Sequence, residues 1–270
     1  MHGGLDNANG KYAYIQNRGD DSGSGISIFD PVLCELAYRW FSAKDSIVLD
    51  PFAGGSVRGI IASKIGRQYV GIELRKEQVD ANVIQGQQIC DDPQPIWKCG
   101  DSADLDLILG DDFKADFVFS CPPYADLEVY SDDPRDISNM AYPKFLELYE
   151  LIIKKAINKL NDDRFACFVV GEVRDKKTGK YKNFVPDTIN AFIKAGADYY
   201  NEAILVTAIG SLPIRAGRQF NAGRKLGKTH QNVLVFVKGN PKKATEYCGE
   251  IEVHFPEEEL AQDTNSRISL

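Results

Sequence analysis

Three times in its first 101 residues the chain runs a short strand-like stretch into a single acid: Ile47-Val48-Leu49 into Asp50, Tyr69-Val70-Gly71-Ile72 into Glu73, and residues 96–99, apolar but for Lys98, through Gly100 into Asp101. Each run is too short for a helix, and the first two are followed by helix-like segments over about 57–65 and 76–89. Short apolar strands alternating with helices build a parallel sheet with helices on both faces. The acids then share the carboxyl edge of that sheet, where open α/β folds keep their ligand sites. The expected fold is a Rossmann-like α/β domain with a mostly parallel, seven-stranded sheet.

A fourth apolar run, residues 115–119, breaks into Ser120-Cys121-Pro122-Pro123-Tyr124. Neither proline can donate a backbone hydrogen bond, and each holds φ fixed. Each also pushes its predecessor out of the helical region. The predicted result is a stiff peg presenting carbonyls and one aromatic ring. Acceptors beside a flat ring suit a planar group that carries an amine, such as a nucleobase. A proline turn at a strand end is the plainer alternative.

The first strand enters Pro51-Phe52-Ala53-Gly54-Gly55-Ser56 before its helix. Strand, glycine turn and helix bring backbone amides and a helix N-terminus up to a ligand. Glu73 stands about twenty residues beyond the turn, the spacing at which an acid commonly meets ribose hydroxyls. Taken singly these signals are weak, because any tight turn can use Gly-Gly and a strand-end acid can simply be solvated. Three acids on one edge are harder to dismiss.

Ahead of the first strand, Asp30 as N-cap and Pro31 at the first helical position start a helix running to Phe41, with Leu33, Leu36, Ala37 and Trp40 on its apolar face. Residues 1–26, rich in Gly, Asn, Asp and Ser, read as a flexible arm, and 27–240 as the single domain. Further helices are expected over about 144–160 and 186–195, and strands over about 164–170, 203–207 and 232–237. Residues 172–184 read as a polar, hairpin-like excursion carrying Lys177 and Lys180. Residues 208–231 read as a flexible cationic loop with Arg215, Arg218, Arg224, Lys225 and Lys228. No acid occurs from 203 to 245 in a chain of net charge −7, so this loop is a local asymmetry of the kind that meets phosphates. A solvated loop balancing acidic neighbours is the competing account. Residues 241–270 read as an acidic tail.

The six cysteines show no Cys-x-x-Cys pair and several sit in apolar runs, so reduced thiols in an intracellular protein are expected. With three histidines, no metal site is expected. No apolar run reaches bilayer length, so no membrane partner is expected.

Taken together, these residues resemble the exocyclic-amino methyltransferases of DNA, enzymes of bacteria and phages that modify adenine N6 or cytosine N4. Asp50-Pro51-Phe52-Ala53-Gly54-Gly55 is similar to the family's cofactor motif Asp-Pro-Phe-x-Gly-x-Gly, and Cys121-Pro122-Pro123-Tyr124 to its catalytic motif Asp/Asn/Ser-Pro-Pro-Tyr. Phe29-Asp30-Pro31 is similar to the segment that packs on the methionine end of the cofactor, and His230 to Phe236 to the closing strand. The likeness spans roughly residues 28 to 239, with the cofactor half first.

The resemblance implies S-adenosylmethionine as cofactor, held by Phe29, Asp30, Pro31, residues Asp50 to Ser56, Glu73, Asp101 and Ser102. Within that set Asp50 would meet the methionine ammonium, Glu73 the ribose and Asp101 the adenine amine. It implies catalysis by Cys121, Pro122, Pro123 and Tyr124 on a base flipped from double-stranded DNA, leaning to adenine N6. The basic segments would hold the phosphates, and a homodimer is possible for the family. Two departures stand out. The second glycine of the cofactor motif is displaced, with Ser56 in its place. Cys121 replaces the usual Asp, Asn or Ser, and a thiol is a poor acceptor; Ser120 could substitute if the strand were bulged. Cytosine N4, an RNA base and a protein glutamine remain as alternative acceptors, as does a catalytically silent cofactor-binding subunit.

Overall fold

In the computed structural model, residues 28–124 and 131–251 are described; the N-terminal arm and residues 252–270 of the acidic tail lie outside them. The strands are β1 (Ile47–Asp50), β2 (Gln68–Glu73), β3 (Ile96–Cys99), β4 (Ala115–Ser120), β5 (Leu160–Val170), β6 (Asp198–Val206) and β7 (His230–Lys238). They form one seven-stranded sheet in the order β3-β2-β1-β4-β5-β7-β6. Only β7 runs antiparallel to its neighbours. The helices are α1 (Pro31–Phe41), α2 (Val57–Lys64), α3 (Lys76–Ile89), α4 (Leu105–Leu109), α5 (Tyr142–Lys159), α6 (Phe184–Lys194), α7 (Leu212–Gly223) and α8 (Pro241–Cys248).

The apolar runs exist because the central strands are buried on both faces. Val48, Phe117, Phe119, Cys167 and Val235 join one core with Tyr38 of α1 and Ala62 of α2. Their neighbours Leu49, Val118, Phe168 and Phe236 join the other with Tyr149 of α5 and Phe192 of α6. Period-two alternation feeds two cores, so every residue is apolar and no polar face marks the strand. Phe192 stacks on Phe236 with centroids 3.9 Å apart, and burial of each such ring contributes about 1.5–3 kcal/mol.

Helix α1 starts as its sequence demands. Asp30 accepts from the amides of Val32 and Leu33 at 2.9 and 3.1 Å, and Pro31 occupies the first turn. Its buried stripe, however, is Cys34, Ala37 and Tyr38, while Trp40 is 43% exposed. Three segments differ from expectation. Residues 212–223, expected to be loop, are helix α7, which buries none of its residues. Strand β6 starts at Asp198 rather than near 203, as a largely exposed edge strand. Residues 241–248, read as tail, form α8, capped by Asn240 and packed on β5 and α1. The 172–184 excursion is a hairpin, closed by an Arg174–Tyr181 bridge. No described helix is long and apolar enough to cross a membrane, and all six cysteines are free thiols.

Candidate active site

The carboxyl ends of β1, β2, β3 and β4 bring the predicted acids and the proline peg to one edge of the sheet. At its centre is Asp50, fully buried. One carboxylate oxygen accepts from the Phe52 amide (3.1 Å) and the Ser120 hydroxyl (2.5 Å). The other accepts from Arg58 Nε (2.6 Å) and the Tyr69 hydroxyl (2.8 Å). A carboxylate offers about four acceptor positions, and all four are filled. Asp50 thus locks the turn, with each of its acceptor positions taken within the chain.

Arg58, on the first turn of α2, carries no mark in the sequence that singles it out. Its guanidinium also donates to the carbonyls of Phe52 and Ala53 at 2.6 and 2.9 Å, and it lies 4.8 Å from the Phe29 ring centroid. Burial is the largest influence and works against its charge, but the Asp50 carboxylate and its hydrogen bond, with Tyr69 and Cys121, together raise the guanidinium above its ordinary range. Phe29 in turn packs edge-on against Phe119, with centroids 5.6 Å apart. One buried ion pair thus joins α1's leading residue, the glycine turn and the end of β4.

The turn itself is open. Gly54 sits at φ +52°, where a side chain is strained, and a Cβ on Gly54 or Gly55 would meet no heavy atom within 4 Å. Glu73 closes one side, accepting from the Gly54 amide at 3.0 Å and the Arg75 amide at 2.9 Å. Burial pushes its carboxyl above the usual carboxylate range, against the pull of Arg75 and the two amides. Asp101 caps a short 3₁₀ turn through the Ala103 amide (2.8 Å). An uncovered glycine cradle flanked by Glu73 and Asp101 fits an adenosine-bearing cofactor.

Several predicted contact residues are engaged elsewhere. The Ser56 hydroxyl donates to Gln85 of α3 at 2.5 Å. That of Ser102 donates to the Pro51 carbonyl at 2.5 Å. Phe52 packs into the core beside Tyr149 and Phe168, and Pro51 and Ala53 are buried. Asp30 and Pro31 serve the start of α1. Ser120 is fully buried and β4 is in continuous register over 117–120, so no bulge turns its hydroxyl toward a substrate.

Beyond Ser120, Pro122 is buried while Cys121, Pro123 and Tyr124 are half-buried. Cys121 Sγ lies 3.7 Å from the Tyr124 hydroxyl. That hydroxyl accepts from Gln231 Nε2 at 2.7 Å, and the ring packs on Phe184. Gln231, at the start of β7, is a second residue the sequence reading did not weigh as a site residue, although it lies in the motif of the closing strand.

The two basic segments meet beside this site. A Cβ on Gly179 would fall 2.6 Å from the Lys225 ammonium, so the hairpin tip and the stretch after α7 touch. Lys177 and Lys180 lie on the hairpin, and Arg215, Arg218 and Arg224 are exposed on or just after α7. Lys228 is drawn inward, and burial lowers its ammonium against the pull of Glu172.

A family model described as DNA methylase, N6_N4_Mtase, matches residues 33–84, which span α1 to α3. The match supports the exocyclic-amino DNA methyltransferase family. No curated protein matches the chain. Among solved structures, TrmN from Thermus thermophilus is 13% identical over 80% of this chain and 50% of its own, with a TM-score of 0.50. The chain thus spans half the length of that protein. A candidate sarcosine dimethylglycine methyltransferase from Galdieria sulphuraria is 13% identical over 77% of this chain and 84% of its own, with a TM-score of 0.52. These likenesses give the fold alone, a Rossmann-like α/β sheet.

Proposed function

We propose that the protein is a DNA methyltransferase that modifies the exocyclic amine of a base flipped from the double helix, with adenine N6 as the favoured target. The observation that carries this reading is the stiff Cys121-Pro122-Pro123-Tyr124 peg, mounted beside an open glycine cradle on one sheet edge. The DNA methylase match over the cradle supports it.

In this proposal the cradle of Gly54 and Gly55, with Glu73 and Asp101, holds S-adenosylmethionine. That group supplies an activated methyl on its sulfonium. An aromatic amine is a poor nucleophile because its lone pair is delocalised into the ring. The Pro122 carbonyl and Cys121 would accept its N–H hydrogens, freeing the lone pair in line with the methyl. Tyr124, steadied by Gln231 and Phe184, would stack on the base. Catalysis is then chiefly alignment and electrostatics. The exposed arginines of α7 and the hairpin lysines would meet phosphates, which favours a nucleic acid over a glutamine side chain as acceptor.

The test is to offer duplex DNA, RNA and a glutamine-bearing protein together as acceptors of isotope-labelled methyl. Label concentrated in DNA is expected. Label in RNA or protein alone would overturn the proposal, and bound cofactor with no transfer would indicate a silent subunit.

A further inference from the structure

Between the hairpin and the segment around α7 lies a cavity of about 260 Å³, lined by Glu172, Arg174, Tyr181, Arg215, Gln219 and Lys228 among others. Typical pockets for drug-sized ligands run to roughly 300–1,000 Å³, so this one is small for a whole nucleotide and suits the major-groove edge of one base that stays stacked in the helix. It adjoins the catalytic peg. A Cβ on Gly171 would lie 3.7 Å from the Tyr124 ring, and Glu172 is the next residue.

Glu172 is the distinctive group. One of its carboxylate oxygens accepts from the Val185 amide at 2.7 Å. The other is buried and has no hydrogen-bond partner among the described residues. Nor does Glu172 form an ion pair within 4 Å with Arg174, Arg215 or Lys228, although all line the same cavity. A buried acceptor without a partner costs about 1–3 kcal/mol, so it points to a donor that arrives with a ligand.

The target base does not provide that donor. On adenine or cytosine the exocyclic amine is the one donor on the base edges, and in the proposed reaction that amine faces Cys121 and Pro122. The remaining ring nitrogens and carbonyls are acceptors, which a carboxylate would repel. A neighbouring base that presents its own amine can provide it. The basic residues lining the cavity suit the phosphates on either side of such a base.

We propose that this cavity reads one base next to the methylated one, and that Glu172 selects adenine or cytosine there by accepting from the amine. The inference rests on the DNA-methyltransferase reading. Thymine presents only acceptors in the major groove and guanine likewise, so both are discriminated against.

The experiment uses the full chain and duplexes in which the positions flanking a fixed target are randomised. Methylated products are sequenced, and binding of the same duplexes is measured by competition. Wild type is expected to favour adenine or cytosine roughly tenfold or more at one flanking position, in both measurements. Glu172→Gln, whose amide can donate to the major-groove acceptors of guanine and thymine, is expected to admit those bases and lose the preference against them, while leaving cofactor affinity unchanged. A wild type with no such preference in binding, or a Glu172→Gln variant that retains it, overturns the assignment of the pocket. Failure of all methyl transfer, with the flank preference in binding intact, would instead strike the catalytic reading and leave the pocket standing.

Discussion

Cys121 is where the site departs furthest from its family pattern, and it is where single atoms can be tested. A hydroxyl accepts hydrogen bonds better than a thiol. Cys121→Ser is therefore expected to turn over at least as fast as wild type. Cys121→Ala should be about tenfold slower, the effect of one lost hydrogen bond, with cofactor affinity unchanged. Single-turnover rates beside cofactor titrations check this, and an alanine variant as fast as wild type would leave Pro122 as the sole acceptor. Glu73 offers a pH test. Burial raises its carboxyl above the usual range, so it takes up a proton earlier than an exposed glutamate as pH falls. Cofactor affinity should fall on acidification as Glu73 takes up a proton, at a pH above the usual glutamate value. Glu73→Gln should bind several-fold more weakly at neutral pH and lose that dependence. Calorimetry across pH measures both. The acids were visible in the sequence because each ends an apolar run. Their partners were not, since nothing local reveals that Arg58 reaches Asp50 or that Gln231 reaches Tyr124 from 107 residues away.

At the level of elements, the Asp50–Arg58 pair ties α2, the glycine turn and β4 into one unit. Removing one partner of a buried pair leaves the other charge uncompensated, at a cost of about 3–5 kcal/mol. Arg58→Met is expected to lower unfolding free energy by about that amount, and it should also weaken cofactor binding because the turn loses its clamp. Denaturant unfolding and cofactor titration on the same variant test it. Helix α3 and strand β3 were legible to their ends, since an apolar run or a helical pattern fixed each. Helix α7 was not. It has Gly217 inside it and buries no residue, so its amphipathic pattern is not anchored on a core that would have marked it as a helix. The early part of β6 was hidden for a similar reason: Asp198 to Glu202 is an exposed edge with no apolar run. Neutralising Arg215, Arg218 and Arg224 together should lower the slope of log binding constant against log salt by about 2 to 3, with cofactor affinity unchanged. An unaltered slope would remove α7 from the interface.

Across the whole molecule, an acidic chain keeps a stretch without acids beside the one sheet edge that also carries the cradle and the peg. The mostly parallel sheet could be anticipated from the alternation of strands and helices, because parallel strands need helical crossovers. How the hairpin and the segment around α7 come together to line an open pocket could not, since loop packing leaves no period in the sequence. A proline peg that directs methylation to an exocyclic amine of DNA leaves its methyl on that amine. The most direct measurement is digestion of DNA labelled by the protein to nucleosides, followed by mass spectrometry. The account predicts label on the N6 amine of deoxyadenosine, lost in Tyr124→Ala. Label on a ring carbon, or DNA without label from a protein that binds S-adenosylmethionine, would contradict it.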